Sequence, residues 1–235
     1  MNKNRTANLL NKEHIKYLFS IFEKNNAKIR LVGGCIRDAF INKENKDVDT
    51  ATIVKPNEVL EILNTNNIEY DDFAINYGSI IAYPFEKKVQ ITTLREDVNQ
   101  IGRHTNVIYT SNWEKDAARR DFTFNAMYLG SNNKLYDFYN GLEDLKENKI
   151  RFIGEIEERI KEDYLRIYRY FRFLGLFELP KIKLNDQKIV EKYIHESLAV
   201  LTNDVIRQEI LKMFNMPFPL NCFYISHQTL QKFKW

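Results

Sequence analysis

Residues 31–50 read LVGGCIRDAFINKENKDVDT, and the rest of the chain can be arranged around them. Ile29, Leu31 and Val32 predict a buried strand that stops at Gly33-Gly34. Glycines there let the backbone turn tightly and bring its N–H groups close to a ligand. Cys35 to Ile41 has helical composition, so the turn opens onto a helix N-terminus. Phosphate is attracted to such a place, and Arg37 adds a forked cation. A polar loop, Asn42 to Lys46, leads into Asp47-Val48-Asp49. Residues two apart share a strand face, so both carboxylates point one way while Val48 points into the core. Two carboxylates beside a phosphate cradle suit a hard divalent cation such as Mg²⁺, which takes oxygen ligands from protein and phosphate together. A Gly-Gly or an Asp-x-Asp by itself is an ordinary turn or a solvated strand edge; their order within one strand–helix–strand unit is what carries information.

Composition narrows the class of protein. At 235 residues the chain can form one large or two small domains with a substantial core. Lys and Arg (35) nearly balance Asp and Glu (32), so the net charge of +3 permits nucleic-acid binding without requiring it. The 16 Phe and 13 Tyr suit a packed core and could also stack bases. Cys35 and Cys222 form no CxxC or Cys/His cluster, which argues against a disulfide scaffold or structural zinc and for a reducing compartment. No apolar run reaches membrane-spanning length, and MNKNRTANLL lacks an apolar signal core. The expected location is the cytoplasm, with the mitochondrion left open.

The GG-C-I-RD stretch followed by D-V-D resembles the signature of the polymerase-β-like nucleotidyltransferases. The likeness is to the class II branch, which holds CCA-adding tRNA nucleotidyltransferases and bacterial poly(A) polymerases. It covers roughly residues 29–211. Three further stretches carry it. REDVNQIGRH falls where the family has a flexible loop needed for adding the terminal A. RRDFTFNAM, from Arg119 to Met127, resembles the second motif, whose Arg and Asp contact the triphosphate and the ribose hydroxyl; this implies those roles for Arg120 and Asp121. EDYLRIYRYFRF resembles the helix that reads the Watson–Crick edge of CTP or ATP, implying that Asp163 and Arg166 select the base and that Arg169 touches phosphate. Two departures stand out: Gln90 replaces a frequent Glu, and Tyr164 replaces the usual Pro.

Periodicity fills in the rest. Helices are expected over 11–25 and 56–66, and a hairpin over 77–94, with VQITTLR beside the Asp-x-Asp strand. Residues 95–116 read as a long polar loop. Phe122, Phe124 and Met127 read as core, and Asn125 as ordering the local backbone. Residues 135–154 read as strand, turn, short helix and strand. Continuous amphipathic helices are expected over 157–174 and 186–201, with Thr202-Asn203-Asp204 capping another that carries Arg207 and Glu209.

The expectation is therefore an α+β protein: a polymerase-β-like nucleotidyltransferase head (1–137, a small mixed sheet with helices), then an all-helical, nucleotide-selecting neck (138–215). A short tail (216–235) stands where most of the family's body and tail domains would be. The resemblance implies a template-independent enzyme adding C and A from CTP and ATP to the tRNA 3′ acceptor end. In it Asp47 and Asp49 are catalytic ligands of Mg²⁺, and Gly33, Gly34, Arg37, Arg120, Asp121, Asp163, Arg166 and Arg169 bind nucleotide. A poly(A) polymerase, an A-only enzyme and a non-catalytic RNA-binding module are the alternatives.

Overall fold

A computed structural model of the chain describes residues 3–43, 47–101 and 104–223. The chain divides into two compact units, residues 1–99 with 106–142, and residues 100–105 with 143–235.

The first unit opens with helices α1 (Lys3–Leu10) and α2 (Glu13–Lys24). Helical spacing buries Ile15, Leu18, Phe19 and Phe22 on one side of α2. Burial of each such side chain stabilises the fold by about 1.5–3 kcal/mol. Strand β1 (Ile29–Val32), helix α3 (Gly34–Phe40) and strand β2 (Val48–Thr52) follow as expected. Next come α4 (Pro56–Thr65), with its proline in the first turn, and the strands β3 (Tyr70–Asp71), β4 (Ser79–Ala82) and β5 (Val89–Thr93). β4 and β5 form the expected antiparallel hairpin.

The region expected to be a loop differs. Strands β6 (Arg95–Ile101) and β7 (His104–Tyr109) form a separate two-stranded sheet, and α5 (Trp113–Ala118) follows. Asn112 caps α5, its side chain accepting from the Glu114 and Lys115 N–H groups at 2.9 and 3.2 Å. Polar residues fill this ribbon, so the alternation that usually reveals a strand is missing. β8 (Met127–Leu129) and β9 (Leu135–Asp137) complete a mixed sheet of order β3-β4-β5-β2-β1-β8-β9. β2 and β5 run parallel, while the other neighbouring pairs are antiparallel. Phe122, Phe124 and Met127 are fully buried, as read. Helix α6 (Gly141–Lys146) begins on Asp137, whose carboxylate accepts the Gly141 and Leu142 N–H groups at 2.8 and 2.9 Å. Gly141 is required by close approach: a Cβ there would fall 2.3 Å from the Thr123 carbonyl oxygen.

The second unit is helical. The expected strand at its start is replaced by an isolated bridge between Lys149 and Lys181. The expected single helix over 157–174 is two, α7 (Ile156–Glu162) and α8 (Leu165–Leu174). Asp163 breaks it, with extended backbone (φ −152°, ψ 103°) and a carboxylate that accepts the Leu165 N–H at 3.0 Å. A short acidic side chain that satisfies a nearby N–H competes with helix continuation. The expected helix over 186–201 is likewise two, α9 (Leu184–Lys192) and α10 (Ile194–Val200), parted at buried Tyr193. Helix α11 (Asn203–Phe214) starts after Thr202, whose side chain makes no capping hydrogen bond, contrary to expectation. Glu209 of α11 is buried against Arg172 and Lys212, at 3.3 and 2.8 Å. Residues 224–235, the aromatic and lysine-bearing tail, lie outside the described residues.

Candidate active site

β1 feeds the site because its apolar residues anchor it between β2 and β8. It ends at Gly33, whose φ of +73° suits only glycine comfortably. The Gly33 N–H is held by the Met127 carbonyl at 3.1 Å. A side chain at Gly33 would lie 3.4 Å from the Asn125 carbonyl and 3.6 Å from Arg120 Nη1, so the turn and that guanidinium are neighbours.

Asp47 is exposed just before β2, Val48 is buried, and Asp49 is partly covered on β2, the alternation read from Asp-Val-Asp. Asp49 lies directly opposite Gln90 of β5 in the parallel pairing. Gln90 donates to Ser79 Oγ at 2.9 Å, so it is an ordered part of the sheet. Burial lifts the Asp49 carboxyl above the usual carboxylate range, and the neighbouring Asp47 charge adds to this. Arg120, Lys88 and Arg37 oppose it. The two carboxylates flank the buried Val48 at the start of one strand. Among the described residues no group of three or more His, Cys, Asp and Glu is placed to hold a metal. The fit rests on two hard oxygen donors at the start of one strand, one of them partly buried, which is the donor type that a divalent cation such as Mg²⁺ takes.

Arg37 on α3 is buried, with Nε on Asp38 Oδ1 at 2.8 Å and Nη1 on Asn125 Oδ1 at 2.7 Å. Asn125 in turn donates to Asp121 Oδ1 at 3.1 Å, an oxygen that also accepts the Phe122 N–H at 2.8 Å. The side chain of Asn125 thus joins the glycine-turn helix to the Arg-Arg-Asp stretch. The sequence reading gave Asn125 only a backbone role, and nothing local in FTFNAM signals a partner 88 residues away. Arg120 meets Asp116 Oδ2 at 3.1 Å and the Tyr128 hydroxyl at 3.3 Å. Asp116 was also missed, although its spacing from Arg119 and Arg120 is that of helical ion pairs.

In the second unit, Arg166 is buried, and its Nη1 donates to the Arg159 carbonyl and to Glu162 Oε2, both at 2.6 Å. The sequence placed Asp163 and Arg166 one turn apart on a continuous helix. Instead Asp163 precedes α8, its carbonyl accepting the Arg166 N–H at 3.1 Å. Arg169 stands 5.8 Å from the Phe173 ring.

Comparisons with known proteins agree with this architecture. Residues 29–151, just over half of the chain, match the poly A polymerase head domain. The human mitochondrial CCA tRNA nucleotidyltransferase 1 is 44% identical over 164 residues, covering 69% of this chain and 38% of that protein. The CCA-adding enzyme of Oceanobacillus iheyensis is 36% identical over 188 residues, covering 78% of this chain and 45% of that one. The chain thus spans less than half the length of these relatives. The crystal structure of the Bacillus stearothermophilus CCA-adding enzyme in complex with CTP superposes with a TM-score of 0.78 over 90% of this chain and 51% of that one. At 24% identity it speaks for the fold alone. With the matched span running from β1 through the carboxylate pair and the Arg-Arg-Asp stretch to α6, the chain belongs to the poly A polymerase head domain family.

Proposed function

We propose that the chain is a template-independent tRNA nucleotidyltransferase that adds C and A from CTP and ATP to the tRNA 3′ end. Residues 1–137 serve as its catalytic head and 138–215 as its nucleotide-selecting neck. The observation that carries the reading is the Asp47–Asp49 pair in the field of Arg120, itself against the Gly33 turn. The relatives that bear the name CCA tRNA nucleotidyltransferase or CCA-adding enzyme support it. So does a structure described as a CCA-adding enzyme with ATP, 26% identical with a TM-score of 0.71.

In this reading the RNA 3′-oxygen attacks the α-phosphorus, the bond to pyrophosphate breaks, and the 3′-OH proton is released. Asp47 and Asp49 would hold Mg²⁺, which when bound activates the 3′-OH and neutralises the triphosphate and its leaving pyrophosphate. Gly33 and Gly34 let the backbone approach phosphate, and Arg120 pairs with triphosphate oxygens. Asp121 accepts from a ribose hydroxyl, which favours ribonucleotides. Arg37, bound to Asp38 and Asn125, steadies the turn and lends its charge. Asp163 accepts from the exocyclic amine of C or A, and Arg166 donates to a ring nitrogen or carbonyl. U and G present the opposite pattern and would leave those groups unpaired. Arg169 contacts phosphate.

A poly(A) polymerase is the second reading, favoured by the description of the matched head domain. The deciding experiment gives the protein and Mg²⁺ three tRNAs, ending before CCA, after C and after CC, with CTP and ATP separately and together. Completion of CCA followed by a halt is expected. A ladder of A residues indicates the poly(A) enzyme, and addition only after CC an A-only enzyme. Asp49→Asn, folded but without turnover, separates either from an RNA-binding module, which would keep its RNA affinity and have no turnover to lose.

A further inference from the structure

Asp116, on α5, is buried outside the carboxylate pair, its side chain 1% exposed, yet both of its oxygens are engaged. Oδ1 accepts Arg119 Nε at 2.9 Å and the Arg95 backbone N–H at 3.2 Å. Oδ2 accepts Arg120 Nη2 at 3.1 Å and the Tyr128 hydroxyl at 2.6 Å. The Tyr128 oxygen in turn accepts Arg120 Nε at 3.3 Å. One edge of the Arg120 guanidinium is therefore gripped by a carboxylate and a phenol, while Nη1 at the other end faces the Gly33 turn. The phenol is itself fixed: Tyr128 lies on β8 with the Trp113 ring edge-on at 5.2 Å, and Arg30 stacks between Trp113 and Tyr136 at 3.9 and 3.4 Å.

We propose that Asp116 is a positioning residue for nucleotidyl transfer, which together with Tyr128 sets the plane of Arg120 and aims Nη1 at the phosphates held by the glycine turn. This rests on the reading of Arg120 as a triphosphate ligand. An arginine left to its own rotamers must be ordered each time a nucleotide binds; gripped along one edge, it is ordered beforehand. The carboxylate also offsets part of the Arg120 charge, so the triphosphate meets an arginine fixed in orientation and partly neutralised. Arg119 shares the same carboxylate from the other side, which keeps the anion from swinging toward Arg120 alone.

The test is a double-mutant cycle read by steady-state kinetics with CTP and ATP. Asp116→Asn keeps the shape but presents an N–H₂ where Arg120 or Tyr128 needs an acceptor. The expected loss is about tenfold to a hundredfold in kcat/KM, carried mainly by KM. Tyr128→Phe, which keeps the ring, is expected to shift KM the same way by a smaller factor. In an Arg120→Ala background both changes are expected to alter kcat/KM less than about twofold, because the group they act through is gone. Thermal unfolding checks each variant, and Tyr128→Phe decides should Asp116→Asn not fold. A loss of equal size with and without Arg120, or wild-type kinetics from the single variants, overturns the positioning role alone. Wild-type protein that incorporates no nucleotide overturns the enzyme reading and this inference together.

Discussion

In the first unit Arg37 and Asp49 meet residues far away in the chain, and in the second the candidate pair is held by its immediate neighbours. Arg37 is fixed by Asn125, 88 positions on, and Asp49 stands in register with Gln90 across two strands. Arg166, by contrast, is fixed by Arg159 and Glu162, and Asp163 by Leu165. The chemistry of the carboxylate site therefore depends on the whole sheet, whereas the proposed base-reading pair depends on the join between two short helices. Damage to the framework of the first unit should reduce stability and activity together. Substitution of Asp163 in the second unit should change which nucleotide is chosen and leave the fold nearly intact.

The largest effect expected from this contrast is at Gly141. A methyl group there meets backbone rather than a yielding side chain, so Gly141→Ala should cost about 3 kcal/mol. Because Thr123 begins the turn that contains Asn125, transfer activity should fall with it. Chemical denaturation together with turnover measures both. Unchanged stability would mean that the sheet tolerates movement at this point and that the contrast is too sharply drawn.

A smaller effect concerns acid. Burial alone would raise the Asp116 carboxyl, but the Arg120 and Arg119 guanidiniums and the Tyr128 hydroxyl hold it at about 2, below its ordinary 3.8. A carboxyl depressed in the folded state contributes stability that is fully present above the unfolded value and is lost as pH falls through the folded one. Asp116 should thus contribute about 2 kcal/mol above pH 4 that disappears toward pH 2. Denaturation curves across this window should be steeper in pH for the wild type than for Asp116→Asn. Equal slopes would remove Asp116 from the framework.

The smallest stability effect is expected at Asp163. Asp163→Ala removes one local cap and should cost about 1 kcal/mol. Competition between CTP, ATP, UTP and GTP for incorporation should nonetheless lose its bias toward C and A. A large loss of stability with selectivity retained would reverse the comparison between the units.

The legibility of the chain follows the same division. β1, α3, β2 and the β4–β5 hairpin were readable because apolar runs and turn residues mark them locally. Their neighbourhood was readable too, since VQITT does lie beside the Asp-x-Asp strand. The polar ribbon β6–β7 was not, because its sequence lacks the strict apolar alternation that marks a strand. Asn125 and Tyr128 act through partners that only the closed sheet brings near. The break at Asp163 was hidden by a seam from Ile160 to Leu174 that keeps helical period straight through it. One clue was present. The resembled motif has Pro where this chain has Tyr164, and a proline there marks the first turn of a new helix.

The pairing of β1 also has a consequence in time. On one side it hydrogen-bonds to β2, about twenty residues on; on the other it pairs with β8, so that Leu31 lies opposite Leu129. As the chain leaves a ribosome, Asp47 and Asp49 emerge well before the strand that closes the sheet beside β1. The 80 residues from Thr50 through Leu129 take roughly 4–16 s to synthesise at about 5–20 residues per second. Until they arrive the nascent head has an open sheet edge and no Asn125 to hold Arg37. Its carboxylates gain their full setting late, and for those seconds the β8-facing edge of β1 stays unpaired.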